Sequence, residues 1–299
     1  PMKQILVIAT GGTIACRSTE KGLMPQIEME DFLNYVPKIR EMCCLHAVQL
    51  MNLDSTNMQP ENWIAIADTI HKEYDRYDGF VVLHGTDPMA YTAAALSYLV
   101  QNSRKPIVLT GAQKPINEDI TDAKSNVIQS ILYATSDAST NVSFVFDGEV
   151  IAGTRGRKVR SKSFNAFSSV NFPHKAVIRD NKVFHYIEEQ GDEPVKFYDR
   201  LNENIFVLKL VPGMDAGILD YLKNRYDAVI IEGFGVGGIP SLESMKYKEK
   251  IAELIKKYAD ELKSEVMADS ITLGEMTGYT KEWNINGEDV VLGVAKVTK

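Results

Sequence analysis

Short β-branched runs alternate with longer amphipathic stretches along most of this 299-residue chain, and that alternation leaves few folds open. Strand-like runs stand at Ile5–Ala9, Phe80–Leu83, Ile107–Thr110, Val142–Phe146, Ile205–Leu210 and Ala228–Glu232. Helical periodicity fills Glu61–Tyr77, Ala90–Gln101, Ser125–Ser136, Ala216–Tyr226 and Lys246–Lys263. Parallel neighbours need a long crossover, and an amphipathic helix is the usual one. The expected class is α/β, with a mainly parallel sheet flanked by helices. A polar, aperiodic stretch from Tyr186 to Glu203 interrupts the pattern. It predicts a large domain over 1–185, a linker over 186–203 and a smaller α/β domain over 204–299.

Charge narrows the partners. Lys and Arg number 33 and Asp and Glu 40, a net charge of −7. Nucleic-acid binding draws its affinity from cations placed on phosphates, and an anionic membrane attracts basic segments, so neither partner is expected. No apolar run reaches the ~18 residues of a membrane-spanning helix. The chain enters its first strand without a basic, then apolar, leader, and no signal peptide is expected. Cys16, Cys43 and Cys44 have neither metal-ligand spacing nor the pattern of a disulfide framework. These features predict a cytoplasmic protein with no metal site.

Several strands run into polar clusters at the same end. Ile5–Ala9 leads to Thr10-Gly11-Gly12-Thr13, Phe80–Leu83 to His84-Gly85-Thr86-Asp87, and Ile107–Thr110 to Gly111-Ala112-Gln113-Lys114. A fourth cluster, Asp54-Ser55-Thr56-Asn57-Met58, follows the apolar segment Val48–Met51. Ligands of open α/β sheets bind outside the carboxyl ends of the strands, so these loops should share one site. Thr10-Gly11-Gly12-Thr13 reads either as an ordinary tight turn or as a turn presenting a hydroxyl. Walker A and GxGxxG spacings are both missing, which weakens a phosphate cradle. Asp87 before Pro88 fits a helix N-cap with proline at the first helical position, and His84 fits a satisfied core histidine. The basic run Arg155-Gly156-Arg157-Lys158-Val159-Arg160 fits a solvated loop. It equally fits one lysine reaching a carboxylate to activate a hydroxyl.

In their order along the chain, these four clusters resemble the bacterial-type L-asparaginases, the cytoplasmic type I branch more than the periplasmic one. Tyr91-Thr92-Ala93, Asp122-Ala123-Lys124-Ser125-Asn126, Ala166-Phe167-Ser168-Ser169 and Gly235-Val236-Gly237 extend the resemblance over about residues 3–245. It implies a large N-terminal catalytic domain and a small flavodoxin-like C-terminal domain. It also implies hydrolysis of the L-asparagine side-chain amide to aspartate and ammonia, without metal or organic cofactor, in a homodimer or dimer of dimers. By the same resemblance Thr13 is the nucleophile, and Thr86, Asp87 and Lys158 form a hydroxyl–carboxylate–lysine group. Ser55, with Asp54 and Thr56 beside it, holds the substrate's α-carboxylate. Asp87 meets the α-ammonium, and Ala112 offers its backbone near the amide. Alternatives are a glutaminase or broader amidase, or a catalytically impaired amino-acid-binding protein.

The chain departs from the family pattern in places. Leu23 stands where many relatives carry a loop tyrosine, and Pro88 replaces a second threonine. After about residue 245 the family pattern is lost. There Ile251, Leu254, Ile255 and Tyr258 predict an amphipathic helix on the small sheet. Val290–Val294 predicts a strand that replaces a missing one at the edge of that sheet.

Overall fold

The computed structural model describes residues 2–19, 22–25, 34–189, 192–235, 237–266, 282–285 and 288–291. The chain divides into two compact units, Pro1–Arg200 and Leu201–Lys299. The first is built on an eight-stranded sheet. Its strands are β1 (Gln4–Gly11), β2 (Cys44–Leu53), β3 (Gly79–Leu83), β4 (Ile107–Thr110), β5 (Val142–Phe146), β6 (Glu149–Ala152), β7 (Ala176–Arg179) and β8 (Lys182–His185). They lie in the order β8-β7-β6-β5-β4-β3-β1-β2. The five strands from β2 to β5 are parallel, and β6, β7 and β8 extend the sheet antiparallel.

The central strands read as unbroken apolar runs because both faces of the sheet are covered. Ile5, Val7, Val81, Leu83, Val108 and Val145 pack on one face with Val127, Ile131 and Ala134 of the helix Ala123–Thr135. The alternate residues Leu6, Ile8, Phe80, Val82, Leu109 and Phe144 are equally buried. The helix Met89–Leu99, packed on the helix Pro60–Glu73, meets β4 and β5 and buries Met89, Ala93, Leu96 and Leu99. Each fully buried Ile or Leu contributes about 2 kcal/mol from apolar burial. The antiparallel strands follow from hairpin turns. Asp147-Gly148 and Asp180-Asn181 have positive φ at both positions, the geometry that joins twisted strands through two residues.

Two expectations change in this unit. The helix predicted to Gln101 ends at Leu99, and Val100–Gln101 pairs antiparallel with Lys196–Phe197. The stretch predicted as a linker therefore runs along the first unit. Phe197 stacks on His71 at 4.0 Å and meets Tyr74 edge-on at 5.2 Å. One aromatic anchor in a polar, aperiodic segment is enough to tie it down. Glu189 does so as well, accepting from the buried Lys175 Nζ at 3.1 Å and from Asn141 Nδ2 at 2.6 Å.

The second unit carries two parallel strands, Ile205–Lys209 and Ala228–Glu232. Leu208, Leu210, Leu219 and Leu222 form its core with Tyr247, Ile251, Leu254 and Tyr258. The last four lie on the helix Tyr247–Val266; Ile251, Leu254 and Tyr258 follow the predicted stripe with Ile255 half-buried beside them, and Tyr247 adds to it. Tyr247 Oη donates to the Met214 carbonyl at 2.7 Å. The helix predicted over Ala216–Tyr226 is only Ile218–Lys223, because Asp215 turns the entry by accepting from the Gly217 N–H. The tail expectation is corrected too. Glu288–Val291 pairs antiparallel with Glu282–Ile285 in a separate two-stranded sheet, not with the small parallel sheet. Asn286-Gly287 between them is the dipeptide that local hairpins favour over distant pairing. Residues 292–294 of that expected strand lie outside the described residues.

Candidate active site

Strand order reverses at β1, where the chain leaves for β2 on one side and later returns to β3 on the other. In doubly wound sheets such a reversal opens a crevice at the carboxyl ends. The four predicted polar clusters follow β1, β2, β3 and β4, so all of them meet at this rim. Their closeness depends on bare backbone. A Cβ on Gly12, whose φ is +88°, would lie 2.5 Å from the Gly85 nitrogen. A Cβ on Gly85 would lie 2.3 Å from Ser55 Oγ. Three loops from different strands thus stack through two glycines, with Thr13 next to the first and Thr86 next to the second.

Thr13 is half-buried and opens a 3-10 turn, Thr13–Ala15. The turn is anchored by backbone bonds from Gly12 N to the Leu53 carbonyl and from Ile116 N to the Ile14 carbonyl. Ser55 is buried and begins a second 3-10 turn. Asp54 caps that turn, its Oδ1 accepting from the Thr56 N–H and the Thr56 hydroxyl, both at 3.0 Å. The polar atoms of Asp54 and Thr56 are thus engaged with one another, and Ser55 is the member of the cluster set against Gly85. Ala112, in the loop after β4, is buried. Leu23 lies on the strand Gly22–Pro25, paired with Ser18, and its side chain is outside the described residues.

Lys158 is the cation that reaches the rim. Its Nζ donates to Thr86 Oγ1 at 2.8 Å and to Asp87 Oδ1 at 2.6 Å. Strand alternation makes the choice among the four cations. Gly156–Lys158 pairs antiparallel with Phe167–Ser169, which turns Gly156 and Lys158 to one face and the exposed Arg157 to the other. Gly156 lies so close to the Phe144 ring that a Cβ there would overlap it, and this fixes which face is inward. Arg155 instead covers the Phe172 ring at 5.2 Å, and Arg160 Nη1 donates to the Asn165 carbonyl.

The helix-cap reading of Asp87 is corrected. The helix starts at Met89 with Pro88 as its N-cap, and Tyr91 and Thr92 donate to the Pro88 carbonyl. A carboxylate that is not capping is available to Lys158. Two residues not singled out from the sequence complete the surroundings. Gln113 Oε1 accepts from the Thr86 hydroxyl at 3.2 Å. Asp122, buried, accepts the Gln113 and Lys114 N–H groups and a bond from Asn126 Nδ2. Burial raises the Asp122 carboxyl above the usual range, with those N–H groups opposing it. The signal for Asp122 is its place in the 122–126 segment, which resembles the family without pointing to a role.

His84 is a satisfied core histidine. A carbonyl only accepts, so Nδ1, 2.6 Å from the Gly85 oxygen, carries the proton. Nε2 then accepts from Thr92 Oγ1 at 2.8 Å, and Thr92 in turn accepts from Trp63 Nε1 at 2.9 Å. Burial pushes the imidazole pKa down to about 4. An unfolded histidine titrates near 6.5, so protons favour unfolding as pH falls from there towards 4. About 3 kcal/mol of stability should disappear across that window. Thermal unfolding between pH 7 and 4.5 checks this: His84→Gln should flatten the fall by one proton's worth, and parallel curves would refute it.

Among the described residues, no group of His, Cys, Asp or Glu side chains is arranged to hold a metal ion. A buried hydroxyl beside a lysine, itself held by a carboxylate, can pass a proton on and take it back when the lysine is in its amine form, next to the half-buried Thr13. Comparison with known proteins identifies the family. The family model described as asparaginase, N-terminal, matches residues 4–190. L-asparaginase of Thermococcus kodakarensis is 36% identical over 79% of this chain and 73% of its own length. Its solved structure superposes with a TM-score of 0.79 at 34% identity, over 85% of this chain and 77% of that one. L-asparaginase 1 of Escherichia coli K12 is 33% identical over 80% of this chain and 72% of its own. One component of the glutamyl-tRNA(Gln) amidotransferase of Pyrococcus abyssi is 35% identical over 80% of this chain, but this chain spans only 58% of it.

Proposed function

The chain belongs to the asparaginase family of amidohydrolases, and from that premise we propose that it hydrolyses the side-chain amide of L-asparagine through a threonine acyl-enzyme. The observation that carries the reading is the Thr86–Lys158–Asp87 chain at the sheet rim, beside the turn that presents Thr13. Thr13 Oγ attacks the amide carbon, its proton ends on the departing nitrogen, and ammonia leaves an ester on Thr13. Water then cleaves the ester. With Lys158 entering this step as the free amine, Thr86 takes the water's proton as its own passes to Lys158 Nζ, and the reverse transfer protonates Thr13 as aspartate departs. Backbone N–H groups of the glycine-rich turns suit the developing oxyanion.

A free amino acid is a zwitterion, and the rim offers both complements. Ser55, with Asp54 and Thr56 shaping its turn, takes the α-carboxylate, and Asp87 meets the α-ammonium. The Ala112 backbone borders the amide. Glutamine is the second reading, favoured by the similarity to an amidotransferase component named for glutamyl-tRNA(Gln). One methylene of substrate length is worth only ~1–3 kcal/mol of discrimination. We further propose a cytoplasmic homo-oligomer in which the first unit is the catalytic domain. No helix among the described residues is long and apolar enough to cross a membrane. The deciding experiment is ammonia release from asparagine and glutamine side by side. Faster release from asparagine supports the reading. Calorimetric binding of asparagine without any release would reduce the protein to an amino-acid binder.

A further inference from the structure

The start of the helix Ala123–Thr135 grips the backbone of the loop after β4 on both sides of Ala112. Asn126, fully buried, donates from Nδ2 to the Gly111 carbonyl at 3.0 Å. Asp122 accepts the Gln113 N–H through both oxygens, at 3.1 and 2.9 Å, and the Lys114 N–H through Oδ1 at 3.1 Å. The peptide between Ala112 and Gln113 is trans, and a trans peptide points its C=O and N–H in opposite directions. With the Gln113 N–H on Asp122, the Ala112 carbonyl faces away from it. Ala112 is 1% exposed, yet no group among the described residues donates to that carbonyl. A buried carbonyl without a donor is costly, which points to a donor from outside the chain. The surroundings agree. A Cβ on Gly111 would lie 3.4 Å from Thr86 Cγ2, and Ile116 N donates to the Ile14 carbonyl in the Thr13 turn. The open carbonyl thus stands on the stretch of chain that runs from one threonine to the other.

We propose that Asp122 is a positioning residue that gives the site its preference for an amide over a carboxylate: by holding the Gln113 N–H it turns the Ala112 carbonyl to the pocket, as an acceptor for the substrate's N–H2. This deepens the hydrolytic reading above and rests on it, since there the Ala112 backbone borders the amide. An amide nitrogen has two hydrogens to donate and a carboxylate has none, so the carbonyl that holds the substrate repels the product. Two substitutions loosen the grip. Asp122→Ala removes it. Asp122→Asn keeps the volume, but the Gln113 N–H touches both oxygens, so the new N–H2 opposes that N–H whichever way the amide faces.

Calorimetry with asparagine and with aspartate reads this preference, in a Thr13→Ala background that leaves asparagine intact and at about pH 8, where the aspartate side chain is ionised. Asp122→Ala should weaken asparagine binding about tenfold or more and aspartate binding by no more than about twofold. Asp122→Asn should act in the same direction by about threefold or more, and it carries the test where the Ala variant does not fold. A purely structural role would weaken both ligands together. That outcome, or asparagine affinity unchanged in both variants, overturns the proposal. A wild type that releases no ammonia, with a Thr13→Ala parent that binds neither ligand, would instead defeat the functional reading. Crystal structures of the Asp122 variants then decide about Asp122 without ligand or activity. The peptide between Ala112 and Gln113 should turn from its present direction in both. An Ala112 carbonyl that keeps its direction in a folded variant overturns the proposal.

Discussion

Thr13→Ala should release ammonia from asparagine at least about a thousandfold more slowly than the wild type, because a covalent route needs its nucleophile. The protein should otherwise survive the change. The turn around Thr13 is secured by backbone bonds to Leu53 and from Ile116, and by the side chain of Ile14, which is fully buried. Removing a half-buried hydroxyl from such a turn costs about 1 kcal/mol or less. Thermal unfolding within a few degrees of wild type, together with lost turnover, is the expected pair of results. More than about a tenth of the activity in a well-folded variant would move the nucleophile elsewhere. Thr86 would be the first suspect, although its oxygen is already engaged by Lys158 and Gln113.

Much of the first unit was legible because its signals are local and repeated. The apolar runs at Ile107–Thr110 and Val142–Phe146 are strands over the predicted bounds, and Phe80–Leu83 gained one residue. Buried parallel strands tolerate little but Val, Ile, Leu and Phe, so the sequence marks them plainly. What stayed hidden depends on single contacts between distant segments. Nothing near Phe197 announces that it will stack on His71, and so a stretch anchored by one ring read as a linker. The hairpin β7–β8 had a signal, Asp180-Asn181 between two short apolar runs, that went unread.

The site divides in the same way. Small residues after strands located the rim, but the basic run after Arg155 left four cations open. What chose between them was the ring of Phe144, a neighbour in space and not in sequence, which admits only glycine at position 156. Gln113 stood in view in the cluster after β4, yet its amide is held by the carbonyls of Arg160 and Ser163, about fifty residues away. Patterns reveal where chemistry gathers. Partners across the fold decide which atom performs it.

Lys158→Met should lower kcat by about a hundredfold or more, the scale of losing a proton-transferring group, while KM changes by a few-fold. The stability change should be small, and that contrast is the substance of the test. Asp87 is 63% exposed and Lys158 16%, so their ion pair is largely hydrated on one side and holds little folding energy. The lysine stem and the methionine side chain are of similar length, which limits any cavity. If the pair mattered only as a strut, the variant would lose heat resistance and keep its rate. Lys158→Arg separates charge from proton exchange. A guanidinium can still meet Asp87, but it stays protonated at any working pH and so cannot accept a proton from Thr86. Under the relay reading the Arg variant should be nearly as slow as the Met variant. Recovery of most of the wild-type rate by arginine would show that a fixed positive charge suffices there, and the Thr86–Lys158 pair would then be electrostatic support and not a path for the proton.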